Sequence, residues 1–506
     1  MPRDDFDVIT GPTAPSRPTP PASLPPAPLP LPAAKPARPS RQQSSEKPTP
    51  PAAQLPQQVV IPACAGMRKK RQFRAAWTLA GRRGYDFART SAGERGMAES
   101  GRTNDGSLTW NFKLLGHNSL EGFGGMGEGM SMQFAKDGRR ILWLAHESAP
   151  KNFTAVDVSD PRELKIVARA DLPHAQMRSN SLETVGDVLA VAYQTAQPGL
   201  QPAGFELFDI STPENPKRIS FFDRSGPNSR GVHQLWFTDG EYIHMSSGSA
   251  DSKPTHPKDD QFYQCIDVRN PSKPVEVGRW WLPGTQQGDN VAPPVRHPEF
   301  DSGFRPHNTN VYPERPDRVY MGYIDGGMIN LDIADKAHPK MISRWDYHPP
   351  NPGFTHTVVP FFSRDLLIVS DECTRFDGAD WPKLIWIVDN RTEENPVSIA
   401  TCPVPPVETF ARSGGRYGAH NLWENLPKEG SWKSEDIVLG TFFGGGLRAF
   451  DVTNPYQPKE VGYFVPHIPE ARNGQCQIND VFVDDRGIVF AVDRIVGGLY
   501  TLEMDF

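Results

Sequence analysis

One short pattern returns seven times between residue 150 and the end of the chain: an apolar run closed by an acidic residue, most often followed by a small polar residue and proline. It reads Phe153-Thr-Ala-Val-Asp157, then Phe205-Glu-Leu-Phe-Asp209, Tyr263-Gln-Cys-Ile-Asp267 and Met328-Ile-Asn-Leu-Asp332. Leu384-Ile-Trp-Ile-Val-Asp389, Leu447-Arg-Ala-Phe-Asp451 and a truncated copy, Leu499-Tyr-Thr-Leu-Glu503, complete the set. The acidic anchors stand 52 to 65 residues apart. A unit of that length cannot bury its apolar faces alone, so neighbouring copies must stack.

Each unit divides into four short apolar runs separated by turn residues. In the third unit these are 233–238, 242–246, 263–268 and 275–282, with the hairpin signal Asp239-Gly240 after the first and Asn270-Pro-Ser-Lys-Pro274 after the third. Four strands per unit without helical periodicity predict an all-β fold, a seven-bladed β-propeller with one blade per anchor. The chain stops just after the third strand of the last unit, and a spare strand at Trp110–Leu115 precedes the first. That strand is expected to supply the missing outer strand and close the ring, removing exposed sheet edges.

Residues 106–506 therefore form the propeller, and residues 1–105 a tail. Residues 1–60 hold 17 of the 52 prolines and lack the apolar content of a core, so they are expected to be disordered or polyproline-like. Residues 67–97 are basic, a solvated tail in the simplest reading. The run Val59–Gly66 resembles translated intergenic repeat DNA of bacteria, which points to a native start near Met97. Net charge is −6, against a nucleic-acid partner. No run of about 18 apolar residues predicts a membrane span. Five cysteines without a CxxC pair suit a reducing, cytoplasmic compartment.

The anchor run, clearest at Leu384-Ile-Trp-Ile-Val-Asp389 and looser at Leu207-Phe-Asp-Ile and Leu331-Asp-Ile, resembles the LVIVD-repeat family over about residues 109–506. The resemblance implies a propeller and leaves activity open.

Aligning the inner strands brings histidines into register. Blades three to six carry His233, His307, His356 and His420 in one slot, which holds Ser131, Asn180 and Gln477 in blades one, two and seven. Inner strands line the channel, so these imidazoles are expected at one height around it, where they can hold a transition metal: iron, copper, zinc or manganese. Second strands ending at His146-Glu147, Asp325, Asp371-Glu372 and Asp493 reach the same face. Their carboxylates are expected to orient the rings, with Glu372 and Asp325 as candidate catalytic acids. The arrangement is similar to that of the carotenoid-cleavage oxygenases, seven-bladed propellers with iron on four histidines. It is also similar to the selenium-binding proteins and methanethiol oxidases, propellers with metal on channel histidines. The competing reading is a structural Gly-x-His, as in tryptophan–aspartate repeat propellers, but such a histidine should recur evenly, and three blades lack it.

Glu128, in the glycine-rich run Gly122–Gly129, and Glu121 just before it are candidate extra acids, and His117 and His174 candidate pocket residues. Cys373 reads as a small buried residue and Trp280-Trp281 as packing. Loops 283–304 and 403–417 carry Arg296, Arg305, Arg412 and Arg416, placed to clamp an anionic small-molecule substrate. Two functions remain open at this point: a metal-dependent enzyme on a small molecule, with an oxidoreductase as the leading reading, or a non-catalytic propeller that docks a protein partner on one face.

Overall fold

The computed structural model describes residues 101–103, 105–123 and 125–506. The readings for the proline-rich tail, the basic segment and the start at Met97 lie outside these residues. Strands dominate, arranged as seven antiparallel blades in a ring.

Blade one runs through Met126–Phe134, Arg140–His146, Lys151–Asp157 and Lys165–Asp171. Blades three, four and five repeat that order from Val232–Trp236, Thr309–Tyr312 and Thr355–Phe361 as inner strands. In blade two the inner position is divided between Met177–Arg178 and Leu182–Val185, both paired with Val188–Thr195. In blade six the inner segment follows His420 and meets the next strand at Leu422↔Gly440.

The recurring aspartate is a turn device. In six successive blades its carboxylate accepts the backbone N–H two residues on: Asp157 from Ser159, Asp209 from Ser211, Asp267 from Arg269, Asp332 from Ala334, Asp389 from Arg391 and Asp451 from Thr453, all at 2.9–3.0 Å. A second such turn follows at Asp160, Asn270, Asp335 and Asn454. These turns send the chain from the third strand of each blade into the fourth. The repeat visible in the sequence is thus the signature of a corner.

Two segments from the start of the described chain close the ring. Phe112–Asn118 pairs with Gly498–Met504 as the outer strand of blade seven. Leu108–Trp110 pairs with Lys459–Val465 of blade six instead, and Gly101–Arg102 adds outside it. The expected closing strand is therefore displaced: Trp110 belongs to blade six, and the crossing point is Asn111. Asn111 sits at φ 52, a left-handed conformation that asparagine tolerates better than most residues. It is held by its amide on Val461 O at 2.8 Å and by Asp505 N on its carbonyl at 3.0 Å.

The cores lie between blades. Trp143 and Phe153 of blade one pack with Phe208 of blade two, and Tyr263 and Cys265 of blade three with Val319 and Met321 of blade four. Among the described residues no helix is long and apolar enough to cross a membrane. Their four cysteines are buried and unbridged.

Candidate metal centre

The starts of the inner segments of blades one and three to seven come together, bringing Glu128, His233, His307, His356, His420 and Asn479 to one place in the channel. There the ladders slip. Pairing is irregular between Val232 and Gln234, between Thr355 and Val358, between Ile478 and Asp480, and between Met126 and Met130. Such bulges re-aim a side chain out of the sheet's alternation. The residues they free are His233, His356, Asn479 and Glu128. His307 and His420 lead into their segments, anchored by N–H bonds to Gly322 O and Thr441 O at 2.7 and 2.9 Å.

The four histidines, all at most 5% exposed, turn Nε2 toward one another. His233 Nε2 lies 2.7 Å from His307 Nε2. The rings of His307 and His356 are 3.6 Å apart and those of His356 and His420 4.5 Å. Glu128 sits among them, with Oε2 3.5 Å from Nε2 of both His307 and His356, and Oε1 3.4 Å from His420 Nε2. Glu372 stands slightly farther, 3.7–4.0 Å from the same three nitrogens. Three overlapping triads result, each with one ligand atom per residue within 4.8 Å of the others: Glu128–His356–His420, Glu128–His233–His307 and His307–His356–Glu372. Neighbouring ligands bound at 2.0–2.1 Å to one ion stand roughly 3 Å apart, so these spacings suit a shared cation.

The outer ring nitrogens settle which way the lone pairs face. His307 Nδ1 meets Asn308 Oδ1 at 2.7 Å, and that amide is oriented by its own NH₂ donating to Glu424 at 2.5 Å. His420 Nδ1 meets the backbone carbonyl of Asn479 at 2.8 Å. Both acceptors are oxygens without a proton, so both rings carry N–H outward and a lone pair inward. His356 Nδ1 contacts the Thr357 hydroxyl at 2.7 Å, which fits either tautomer. His233 Nδ1 lies 3.1 Å from Gln194 Oε1 and 3.3 Å from Arg178 Nη2. That ring can donate from Nε2 to His307, or donate from Nδ1 to Gln194 and free Nε2. Inside the ring of ligands, His356 Nε2, His420 Nε2 and Glu128 Oε2 are buried without a hydrogen-bond partner. Buried polar atoms that converge without partners are costly, and a cation that joined them would remove that cost.

Electrostatics agree. Burial, reinforced by neighbouring imidazoles, pushes His233 well below the usual range, His307 to about 4, and His356 down. Burial would raise Glu128, yet contacts with His356, His420 and His307 outweigh it and hold it well below the usual carboxylate range. Glu372 is also held low against its burial, by His420 and Arg416.

The expected carboxylate supports turn out otherwise. The four Nδ1 atoms meet amide, hydroxyl and carbonyl oxygens, and Glu372 faces the Nε2 side. Asp325 accepts N–H bonds from Ser302 and Gly303 at 2.7 and 2.8 Å and stands outside the three triads. Asp371 binds the Tyr347 hydroxyl and Leu384 N, and Asp493 accepts Gln477 N at 2.6 Å. These aspartates brace loops through the strong demand of backbone N–H groups for a buried acceptor. Glu147 pairs with Arg178 and with Arg494 at 2.6 Å.

The slot alignment also shifts. Blade one contributes Glu128 rather than Ser131, which lies farther along and binds Glu183 at 2.8 Å. Blade seven brings Asn479 to the rings rather than Gln477. Glycine explains Glu128. A Cβ on Gly127 would stand 2.8 Å from Asn180 O, and one on Gly129 2.5 Å from Leu182 N. The Gly-Glu-Gly run lets the inner strand of blade one press against blade two, where Glu128 N donates to Asn180 O at 2.7 Å.

Of the other candidates, Glu121 is exposed and pairs with Arg169. His117 stacks on Tyr500 and bonds Gly497 O. His174 is not among the metal-competent groups found in the described residues. Cys373 is buried near Asp380 with its thiol pushed up, mainly by burial. Arg296 is held by Asp259 and Asp301, and Arg412 is exposed. Arg305 bonds Gln261, while Arg416 binds Glu372 at 2.8 Å and so reaches the site. Arg178 and Arg494, both at the site, went unread in the sequence. Arg494 follows Asp493, the second-strand terminus already singled out there.

No protein-family model matches the chain, and no curated protein matches it. A crystal structure of a protein from Lactobacillus plantarum is similar in fold at 9% identity, with a TM-score of 0.44, over 66% of this chain and 87% of that one. The blade count rests on the strand pairing itself.

Proposed function

We propose that the channel site is a transition-metal centre and that the protein is a metal-dependent enzyme acting on a small molecule, an oxidoreductase being the class this ligand set suits best. The observation that carries the reading is the set of three overlapping triads that the four histidines form with Glu128 and Glu372, with His356 Nε2, His420 Nε2 and Glu128 Oε2 buried without partners among them. Imidazole-rich sites favour iron, copper, zinc or manganese over calcium or magnesium. His233, His307, His356 and His420 would hold the ion, Glu128 would add a charged ligand, and Asn308, Thr357, Gln194 and the Asn479 carbonyl would fix the rings. Bound there, the metal would supply an electrophilic or redox-active centre. Glu372, tied to Arg416 and 3.7–4.0 Å from three of the nitrogens, would move a proton at a substrate in this reading. Asp325 carries no such role in this reading.

The test is elemental analysis of protein purified without a histidine tag, followed by melting with and without chelator. Close to one transition-metal ion per chain, and a melting point lowered by chelator, support the reading, since binding only the folded state stabilises it. Absence of metal, together with no thermal effect after reloading, would overturn it and leave a propeller that acts through a binding face.

A further inference from the structure

Beside the imidazoles, the residues just past the second strands form a cluster of their own. The strands Arg140–His146, Leu366–Asp371 and Ile488–Asp493 are followed at once by Glu147, Glu372 and Arg494. One position, repeated in three blades, thus carries two acids and an arginine. Arg494 rides on a braced turn. Asp493 Oδ1 accepts the N–H groups of Ile495, Val496 and Gly497 at 2.9–3.0 Å, and Arg494 N donates to Gln477 O at 2.8 Å.

Two more arginines come from inner segments: Arg178 at the end of Met177–Arg178, and Arg416 at its bridge to Phe376. Arg178 and Arg494 bind the same oxygen, Glu147 Oε1, Arg494 through Nη2 at 2.6 Å. Arg416 binds Glu372 Oε1 at 2.8 Å, and Arg494 Nη1 stands 4.0 Å from that oxygen. Glu372 Oε1 is in turn 3.7 Å from His420 Nε2, and Arg178 Nη2 is 3.3 Å from His233 Nδ1. Phe443 stacks on His420 at 4.5 Å, and its ring lies 5.5 Å from the Arg416 guanidinium and 6.0 Å from that of Arg494. The arginines therefore stand directly beside the candidate metal centre.

One ion pair in this cluster is half made. An arginine and a carboxylate can meet through two parallel bonds, but here only Arg494 Nη2 and Glu147 Oε1 meet. The other two ends of the pair, Arg494 Nη1 and Glu147 Oε2, are buried without hydrogen-bond partners. Nη1 is a donor only and Oε2 of the ionised acid an acceptor only. A ligand that satisfies both offers an anionic oxygen close to a hydroxyl. The charge on Arg494 is also poorly balanced: burial, and then the adjacent Arg416, push its guanidinium down against the pull of Glu147 and Glu372.

We propose that Arg494 anchors the substrate and that the substrate is a small α-hydroxy carboxylate. Its carboxylate accepts from Arg494 Nη1, and its hydroxyl donates to Glu147 Oε2. The proposal rests on the metal reading, which makes this cluster the wall of a substrate site.

The experiment titrates the full chain with lactate by calorimetry, beside two analogues: lactamide, of the same size but uncharged, and propionate, which lacks the hydroxyl. Lactate should bind most tightly, and each analogue about tenfold or more weakly, because each leaves one buried group of the pair unsatisfied. Arg494→Gln should weaken lactate by a similar factor while its metal content stays that of wild type. The comparison of the three ligands needs no variant, so it decides even where Arg494→Gln does not fold. No lactate binding at millimolar concentration, lactamide binding as tightly as lactate, or an unchanged lactate affinity in Arg494→Gln would each overturn the anchor. Loss of metal together with loss of lactate in that variant would overturn it too, leaving Arg494 a support of the metal centre. The metal reading is judged separately: lactate binding that depends on Arg494 in a protein without metal would keep the anchor and remove the metal, and metal without lactate binding would do the reverse.

Discussion

His233 and His307 meet Nε2 to Nε2 at 2.7 Å, and the two rings differ in what holds their far side. His307 is fixed by Asn308, so its inner nitrogen is an acceptor; His233 lies between Gln194 and Arg178 and can carry its proton on either nitrogen. In the metal-free protein His233 donates to His307. Were a cation held there, the His233 proton would move outward to Gln194. The pair would then be two ligands instead of a hydrogen-bonded couple, with no buried acceptor clash in either state.

Asn308 is expected to matter beyond its size. Asn308→Ala removes the acceptor that orients His307 and should weaken Zn²⁺ binding about 10–100-fold, the usual loss when a partner of a ligating histidine is removed. Asn479→Ala is the control. The acceptor for His420 is the Asn479 backbone carbonyl, which survives the change, so affinity should fall less. Competition against a chromophoric chelator reads both. Equal losses would show that the ring partners do not set affinity.

Gly129→Ala should destabilise the fold and disturb the centre together. The added Cβ would lie 2.5 Å from Leu182 N and 3.0 Å from Ser181 Cα, both backbone atoms that cannot swing away. Overpacking of this kind costs about 1–3 kcal/mol, read as a lower melting point in the metal-free protein. Gly138→Ala is the comparison for space alone: nothing lies within 4 Å of its added Cβ, although its φ of 87° carries its own strain. A Gly129→Ala melting point at or above that of Gly138→Ala would contradict the close approach of blades one and two.

The fold was legible in the sequence because its repeat marks a corner that every blade needs. Asp157, Asp209, Asp267 and their successors close the same two-residue turn, so their spacing counts blades directly. The histidines were legible for a related reason, since parallel inner strands turn equal sequence slots into equal heights. What failed depended on local departures from regularity. The bulge between Met126 and Met130 advances Glu128 into the place assigned to Ser131, and a slot count cannot see a bulge. Asp325 and Asp493 ended the right strands at the right face. They turned to backbone N–H groups because tight loops there leave donors that only a carboxylate satisfies. Arg178 and Arg494 were missed because a lone arginine carries no pattern. Gly127-Glu128-Gly129 was the signal in hand: an acid flanked by glycines inside an apolar strand marks a backbone pressed against its neighbour.

Ring closure makes a prediction about association. Phe112–Asn118 covers the edge of Gly498–Met504 along six residue pairs. A chain beginning after Asn118 leaves that strand unpaired, a template for edge-to-edge pairing. It should elute as oligomers or aggregate at concentrations where the full chain does not. A well-behaved species with unchanged melting would mean that the outer strand of blade seven is dispensable.

The last prediction concerns pH. Glu424 is partly buried, and burial raises it from 4.5 to about 7 in the folded protein, against the hydrogen bonds from Asn310 and Asn308. In the unfolded chain it ionises near its ordinary value. Between those limits the folded state binds the extra proton, so this group stabilises the fold least at high pH: its favourable contribution at pH 4 is lost as pH rises toward 7. Glu424→Gln keeps the shape and removes the titration. The melting point of the variant, relative to wild type, should therefore climb between pH 5 and pH 8, by an amount that corresponds to about 2–3 kcal/mol in stability. His307, depressed to about 4 by burial and the neighbouring His356, works in the opposite sense. It is neutral when folded and protonated when unfolded below about pH 6.5, so it weakens the fold as pH falls from there toward 4. Both proteins carry His307, and the difference between them isolates Glu424. A difference that stays flat from pH 5 to 8 would show that Glu424 titrates alike in both states.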